Sequence, residues 1–349
     1  MVETSVIIPF KNAERTLERC LQSLMAQSYA SFEVVLVDNN STDRSPELAE
    51  SYARRYGGKL QIRVLRESRP GPSEARNTGV RNAAGRYLAF TDSDCVAHPD
   101  WLREAIEAFD EPKVGAVAGN IEGYTPSNVV DAFHGLFTLR GLKETRIFSA
   151  FTLDTGGFAT TNLVVRRDVF EQVGEFDPLL GANRDVCAED HDLCARIYKA
   201  GFSIKTIQRG TIYHIHRADL RATWRQARLF GIGHSILLDR HFQRLVLIEM
   251  GRFQLRTLNL PLKAWIDLSS ADKKMAAILV LSFLYPPLVV LAPAYVFYLA
   301  RLIVKRAKRS DMSLRPMDSI AMAGLLLMKS MAMTVGRLQG SFRYGVVAF

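Results

Sequence analysis

The sequence predicts an α/β fold, a mostly parallel sheet flanked by helices, followed by a helical C-terminal region that associates with a membrane. Three observations carry that prediction. Short, continuous apolar runs alternate with amphipathic stretches through the N-terminal part, the pattern of strands buried on both faces. Polar residues gather where those runs stop. Residues 276–300 then hold no charge over 25 positions, long enough to cross a bilayer.

The elements follow in order. SVIIP (5–9) is a strand closed by proline, and beyond Lys11-Asn12-Ala13 the spacing of Leu17, Leu21, Leu24 and Met25 predicts a helix. FEVVLVDNNSTD (32–43) repeats the unit, with a second helix opening near Ser45-Pro46-Glu47. QIRVL (61–65) is a third strand, GPSEARNTGVRNAAG (71–85) a glycine-bounded helix and YLAF (87–90) a fourth strand. Asn12, Asp38, Asp92 and Asp94 therefore fall at strand carboxyl ends, where open sheets of this kind bind ligand. Neither GxGxxG nor GxxxxGK[ST] occurs, which excludes a Rossmann dehydrogenase and a P-loop NTPase. A diphosphate bound there needs some other partner for its charge.

Asp92 and Asp94, in LAFTDSDCVAHPDWL (88–102), lie one residue apart and point the same way along an extended chain. Two like charges on one side favour a cation between them, and a hard divalent ion with oxygen ligands fits. The alternative is an acidic turn before the helix that Pro99-Asp100-Trp101 opens. Cys20, Cys95, Cys187 and Cys194 have neither zinc nor disulfide spacing and read as buried small side chains in a reducing compartment.

SVIIPFKNAERTLERCLQSLMAQSY, FEVVLVDNNSTDRS, GPSEARNTGVRNAAGRYLAFTDSD, NLVVRRDVFEQVGEFDPLL and AEDHDLCARIYKAGFSI together resemble the family-two glycosyltransferases, over about two-thirds of the chain and up to about residue 235. The resemblance implies a Rossmann-like GT-A fold, a DxD motif, and inverting transfer of a sugar from a nucleotide diphosphate-sugar, usually a UDP-sugar. It implies that Asp38 bonds the base and that the backbone around Pro9 and Phe10 lines the same pocket. Arg76 and Asp92 would face the donor's phosphate, ribose or sugar, and Asp94 would hold Mn2+ or Mg2+. This chain has DNNSTD where many relatives have DDGSTD, so Asn39 is a departure.

Inversion needs a general base for the attacking hydroxyl. The resemblance assigns that role to Asp190, with Glu189 positioning acceptor or base. The competing reading of Glu189, Asp190 and Asp192 is an acidic first helical turn favoured by the macrodipole. His214, in GTIYHIHRADL (210–220), takes the place of a family histidine that completes the metal site or touches the diphosphate, and a neutral imidazole suits Mn2+ better than Mg2+. His216 is the lesser candidate of the two. Arg225 and Arg228, three apart on one helical face, are expected to clamp donor phosphate or to meet lipid head groups.

Charge divides the chain. Residues 1–216 carry 25 Lys+Arg against 29 Asp+Glu, a net of −4, whereas 217–349 carry 20 against 7, a net of +13. Basic residues flank the uncharged run on both sides, and Pro286-Pro287 interrupts it. A hairpin that enters and returns keeps both flanks cytoplasmic. SIAMAGLLLMKSMAMTVG (319–336), interrupted by Lys329, reads as interfacial. MVETSVIIPF has no signal-peptide pattern. The expected organisation is a catalytic domain over 1–220, amphipathic interfacial helices over 221–274 and a hydrophobic membrane-associated region over 275–349. The expected place is the cytoplasmic face of the inner membrane, with a lipid-linked glycan or polysaccharide acceptor and no nucleic-acid partner. The rival readings are a polyprenyl-phosphate glycosyltransferase and an idle nucleotide-binding scaffold.

Overall fold

All four residues of the run 34–37 are buried to 0% exposure, as a strand covered on both faces must be. A computed structural model describes residues 2–138, 142, 144–153, 155–181, 185–216, 219–250, 253–257, 260–310 and 312–349. The chain forms two compact units, 1–125 with 139–216, and 126–138 with 217–349.

The chain runs β1 (Thr4–Phe10), α1 (Leu17–Met25), β2 (Phe32–Asp38), α2 (Ser45–Tyr56), β3 (Ile62–Arg66), α3 (Pro72–Arg81), β4 (Tyr87–Phe90), β5 (Cys95–Ala97) and α4 (Trp101–Glu107). It continues with β6 (Val114–Ala118), β7 (Ile121–Gly123), α5 (Val129–Phe137), β8 (Arg146–Phe148), β9 (Leu163–Arg166), α6 (Arg167–Val173), α7 (Glu189–Lys199), β10 (Ser203–Thr206) and β11 (Ile212–His214). Of these only α5 belongs to the second unit.

The main sheet of the first unit has the order β3-β2-β1-β4-β9-β6-β10-β8. β1 to β4 are mutually parallel, while β9 and β8 run against their neighbours, so the sheet is mixed. Alternation along β1 splits the core: Val6 and Ile8 pack with α1, α2 and α4, and Ile7 packs with α6 and α7 on the other face. α3 lies close against the sheet because Gly79 has no side chain; a Cβ there would stand 2.5 Å from Ile7 Cγ2. A second sheet, β5-β11-β7, pairs β11 antiparallel to β5 with His214 opposite Cys95.

The second unit holds α5, α8 (Leu220–His241), β12 (Leu245–Met250), β13 (Phe253–Thr257), β14 (Lys263–Asp267), α9 (Ala271–Leu284), α10 (Leu291–Lys308), α11 (Pro316–Tyr344) and β15 (Val347–Ala348). Residues 221–274, expected as interfacial helices, instead contain α8, three strands of a β13-β12-β14-β15 sheet and the first turn of α9. The run LVLIEM buries its first three residues against that sheet's neighbours, a strand signal masked by the polar segments around it. The expected break at Pro286-Pro287 is present as a short 3-10 turn, Pro286–Val290, between α9 and α10. Two stretches, Pro286–Lys308 and Pro316–Tyr344, are long and apolar enough to cross a membrane by length and composition. Lys329, which interrupts the second, donates to Phe137 O at 2.9 Å and Thr138 Oγ1 at 3.0 Å, placing its charge at the C-terminus of α5 where the macrodipole welcomes it.

Candidate active site at the carboxyl ends of the central strands

Asp38 ends β2, buried, with Oδ1 accepting from Ser41 N at 3.0 Å. It lines a cleft of about 450 Å3 together with Asn40, Thr42, Arg66 and Glu67, within the range of small-ligand sites. Pro9 and Phe10 end β1 beside it; the Phe10 ring lies in the core, and its carbonyl accepts from Asn39 N at 2.9 Å. Asn39 turns away from the cleft. Its amide donates to Glu67 O and Arg69 O and its oxygen accepts from Gly71 N, so the departure from DDGSTD fastens the loop leading into α3.

That helix carries Arg76, which is buried and makes two ion pairs, to Asp92 Oδ1 at 3.0 Å and to Glu189 Oε1 at 3.3 Å. Burial opposes its charge, but Asp92, Glu189 and Asp190 more than offset this and raise its pKa. The other Asp92 oxygen accepts from Thr161 Oγ1 at 2.7 Å. Both oxygens of Asp92 are thus engaged within the protein.

Asp94 faces a different set of groups. The β5–β11 pairing extends through Ile215 N donating to Asp94 O at 2.8 Å, and it brings His214 Nε2 to 3.4 Å from Asp94 Oδ1. Ligand atoms of Asp92, Asp94, Cys95 and His214 all lie within 4.8 Å of one another. Among the described residues the buried His214 Nδ1 has no hydrogen-bond partner, and the His216 ring lies 4.6 Å from the His214 ring. Burial, reinforced by Asp94, pushes the Cys95 thiol well up, so it stays protonated and the carboxylate and imidazole are the stronger ligands.

Glu189 and Asp190 open α7. Burial and then the Asp190 charge push Glu189 up to about 7 against the pull of Arg76. Burial acts on Asp190 in the same sense, but His191 outweighs it and holds the carboxyl below its ordinary value. Asp190 Oδ1 accepts from His191 N at 2.8 Å and meets His191 Nδ1 at 2.9 Å. Gly157 backs the His191 ring so closely that a Cβ there would stand 2.0 Å from His191 Cδ2.

The structure therefore brings together Arg76, Asp92, Asp94, Glu189, Asp190 and His214. Arg225 and Arg228 lie on α8 in the second unit, where Arg228 Nη1 donates to Gln339 Oε1 at 2.9 Å and Arg225 is exposed. Sequence reasoning missed Thr161 and Asn162. Asn162 is buried, accepting from Trp101 Nε1 at 2.8 Å and donating to Asn120 O and Gly210 O. Polar residues directly before the apolar run LVV (163–165) were the available signal.

The profile of the family described as Glycosyl transferase family 2 matches residues 5–174. Glycosyltransferase AglE of Haloferax volcanii is 32% identical over 52% of this chain and 58% of its own length. The amylovoran biosynthesis glycosyltransferase AmsB of Erwinia amylovora is 30% identical over 59% of this chain and 67% of its own. The chain thus spans about half the length of AglE. Among solved structures, the mannosyltransferase PcManGT from Pyrobaculum calidifontis, in complex with GDP-Man and Mn2+, is similar at 21% identity over 96% of this chain and 87% of that one, with a TM-score of 0.56. That likeness is one of fold, an α/β GT-A-like architecture.

Proposed function

Because the chain belongs to glycosyl transferase family 2, we propose that this nucleotide-sugar-dependent glycosyltransferase moves a hexose, with inversion, from a UDP-sugar to an acceptor held at a membrane. The carrying observation is the convergence of Asp92, Asp94, Cys95 and His214 ligand atoms in a site that Arg76 ties to Glu189, next to Asp190.

A divalent cation fits the donor set. Asp94 and His214 would hold it, with His214 Nε2 3.4 Å from Asp94 Oδ1; carboxylate with imidazole suits Mn2+ better than Mg2+. When bound, such an ion offsets the negative charge that develops on the departing diphosphate. The presence of Mn2+ in PcManGT supports this reading.

The chain's own groups do the rest. Asp38 accepts a hydrogen bond from the base, beside the Pro9–Phe10 backbone. Asp92, fixed by Arg76 and Thr161, faces the ribose or sugar. Asp190, kept ionised by His191, takes the proton of the attacking hydroxyl, and Glu189 positions that hydroxyl. Arg76 joins the two halves, so donor-side and acceptor-side carboxylates keep a fixed spacing.

The two apolar C-terminal stretches and their basic flanks support a place at the cytoplasmic face of the inner membrane. AmsB is named for amylovoran biosynthesis, which supports a polysaccharide or lipid-linked glycan as acceptor. The test is calorimetric titration of UDP, GDP and dTDP with Mn2+ or EDTA, on the wild-type chain and Asp94→Ala. UDP binding that vanishes with EDTA and with Asp94→Ala is expected. A preference for GDP or dTDP would replace the base, and nucleotide binding indifferent to metal would overturn the reading.

A further inference from the structure

The charge-free run 276–300 is folded as two short helical arms joined by a turn. Neither α9 nor the turn Pro286–Val290 contains a buried residue. The exposure is greatest near the turn, with Phe283 at 88% and Leu284 at 74%, and Tyr285 and Val290 are exposed too. A soluble surface does not hold so large an apolar patch without an occupant.

The lengths of the arms say how deep they reach. Residues 276–284 rise about 14 Å and residues 291–300 about 15 Å at about 1.5 Å per residue. Each is about half of the ~30 Å hydrocarbon thickness. From Pro286 only fifteen residues, 286–300, precede the first charge, about 22 Å at about 1.5 Å per residue, so a span begun there would carry Arg301 into the hydrocarbon. Basic residues bound the wedge on both flanks: Lys274 on one, and Arg301, Lys305, Lys308 and Arg309 on the other, all exposed. No acidic residue occurs between Asp272 and Asp311.

The backbone at the tip meets the other demand of an apolar medium, that polar groups be satisfied internally. Tyr285 N donates to Leu281 O at 2.8 Å, Pro286 and Pro287 have no N–H to satisfy, and Leu288 N donates to Tyr285 O at 3.1 Å. Leu291 N is bonded back into the turn. Within α9, Ser282 Oγ donates to Ile278 O at 2.7 Å, leaving its hydroxyl hydrogen spent.

We propose that α9, the proline turn and α10 form a wedge that enters one leaflet of an anionic bilayer and returns, with Lys274 and the 301–309 cluster on the phosphate layer. This rests on the reading that the chain works at a membrane and specifies how it is held there. Anionic head groups attract basic residues held near the surface, so attachment should respond to both lipid charge and salt.

The test is flotation of the full chain with phosphatidylcholine vesicles, with and without phosphatidylglycerol, run without nucleotide. The expected result is co-flotation with the anionic vesicles, falling at least about tenfold with added salt or with Phe283→Glu/Leu284→Glu. A second variant, Lys305→Glu/Arg309→Glu, should lose the preference for phosphatidylglycerol while keeping the wild-type melting temperature. An introduced Leu284→Cys should be protected from impermeant maleimide both outside and inside the vesicles. Labelling from the lumen would mean a span and overturn the wedge. Equal flotation of the tip variant would overturn it too, as would a wild-type chain that ignores vesicles and dimerises through these residues. UDP titration on the same samples reports the donor site separately, so failure of the wedge is distinguishable from failure of the enzyme reading.

Discussion

Two pairs of neighbouring acids, Asp92 with Asp94 and Glu189 with Asp190, share one plan and lead to different chemistry. In each pair one carboxylate bonds Arg76 and the other meets a histidine, His214 for Asp94 and His191 for Asp190. The difference lies in what else converges. Around Asp94 the ligand atoms of Asp92, Cys95 and His214 close in within 4.8 Å, an arrangement that fits a cation. Around Asp190 the histidine is the residue next in sequence, bonded through both backbone and ring, an arrangement that keeps a carboxylate ionised. A histidine beside an acid thus suits either the proposed metal site or the proposed base, and the remaining neighbours separate the two readings.

The comparison is broken most directly at Asp94. Asp94→Ala is expected to cut turnover by about 10^3-fold or more, the loss of several kcal/mol of charge stabilisation, and to abolish the response to added Mn2+. Turnover that survives with an unchanged Mn2+ titration would make the two acid pairs equivalent. Asp190→Asn should reduce kcat by about 10^2- to 10^4-fold while leaving metal-dependent UDP binding intact; calorimetry on the variant would reveal a role in binding instead.

Arg76 is the shared element. Arg76→Met leaves buried Glu189 and half-buried Asp92 without their shared cation, and the expected loss is about 3–5 kcal/mol of stability, read by urea unfolding. A smaller change would mean the two acids are not held through it. Thr161→Val removes one bond to a charged group, about 1.5–3 kcal/mol, and should raise the donor KM more than it lowers kcat. Thr161→Ser should restore both.

The smallest effect is a pH dependence. Glu189, with its pKa raised from 4.5 to about 7, binds more protons when folded, so its contribution to stability falls as pH rises through that window. Melting temperatures between pH 5 and 7 should fall less for Glu189→Gln, by about 1–2 kcal/mol in free energy. An unchanged slope would show that Arg76 dominates at Glu189.

The sequence by itself determined the first four strands, because runs such as 34–37 admit no exposed face, and with them the row of polar residues at their ends. It also determined the break in the uncharged run, since two adjacent prolines speak locally. Thr161 escaped notice because a lone threonine carries no signal until 69 residues of chain fold back to place it on Asp92. The partnership of Asp94 with His214 depends on one antiparallel register between β5 and β11, and the bridge from Asp92 to Glu189 depends on a single buried arginine. The strands within 245–267 were masked for a similar reason, their burial coming from sheet partners far along the chain. Local pattern fixes where polar groups can stand; only the packing of distant segments decides which of them touch, because distance and burial set their chemistry.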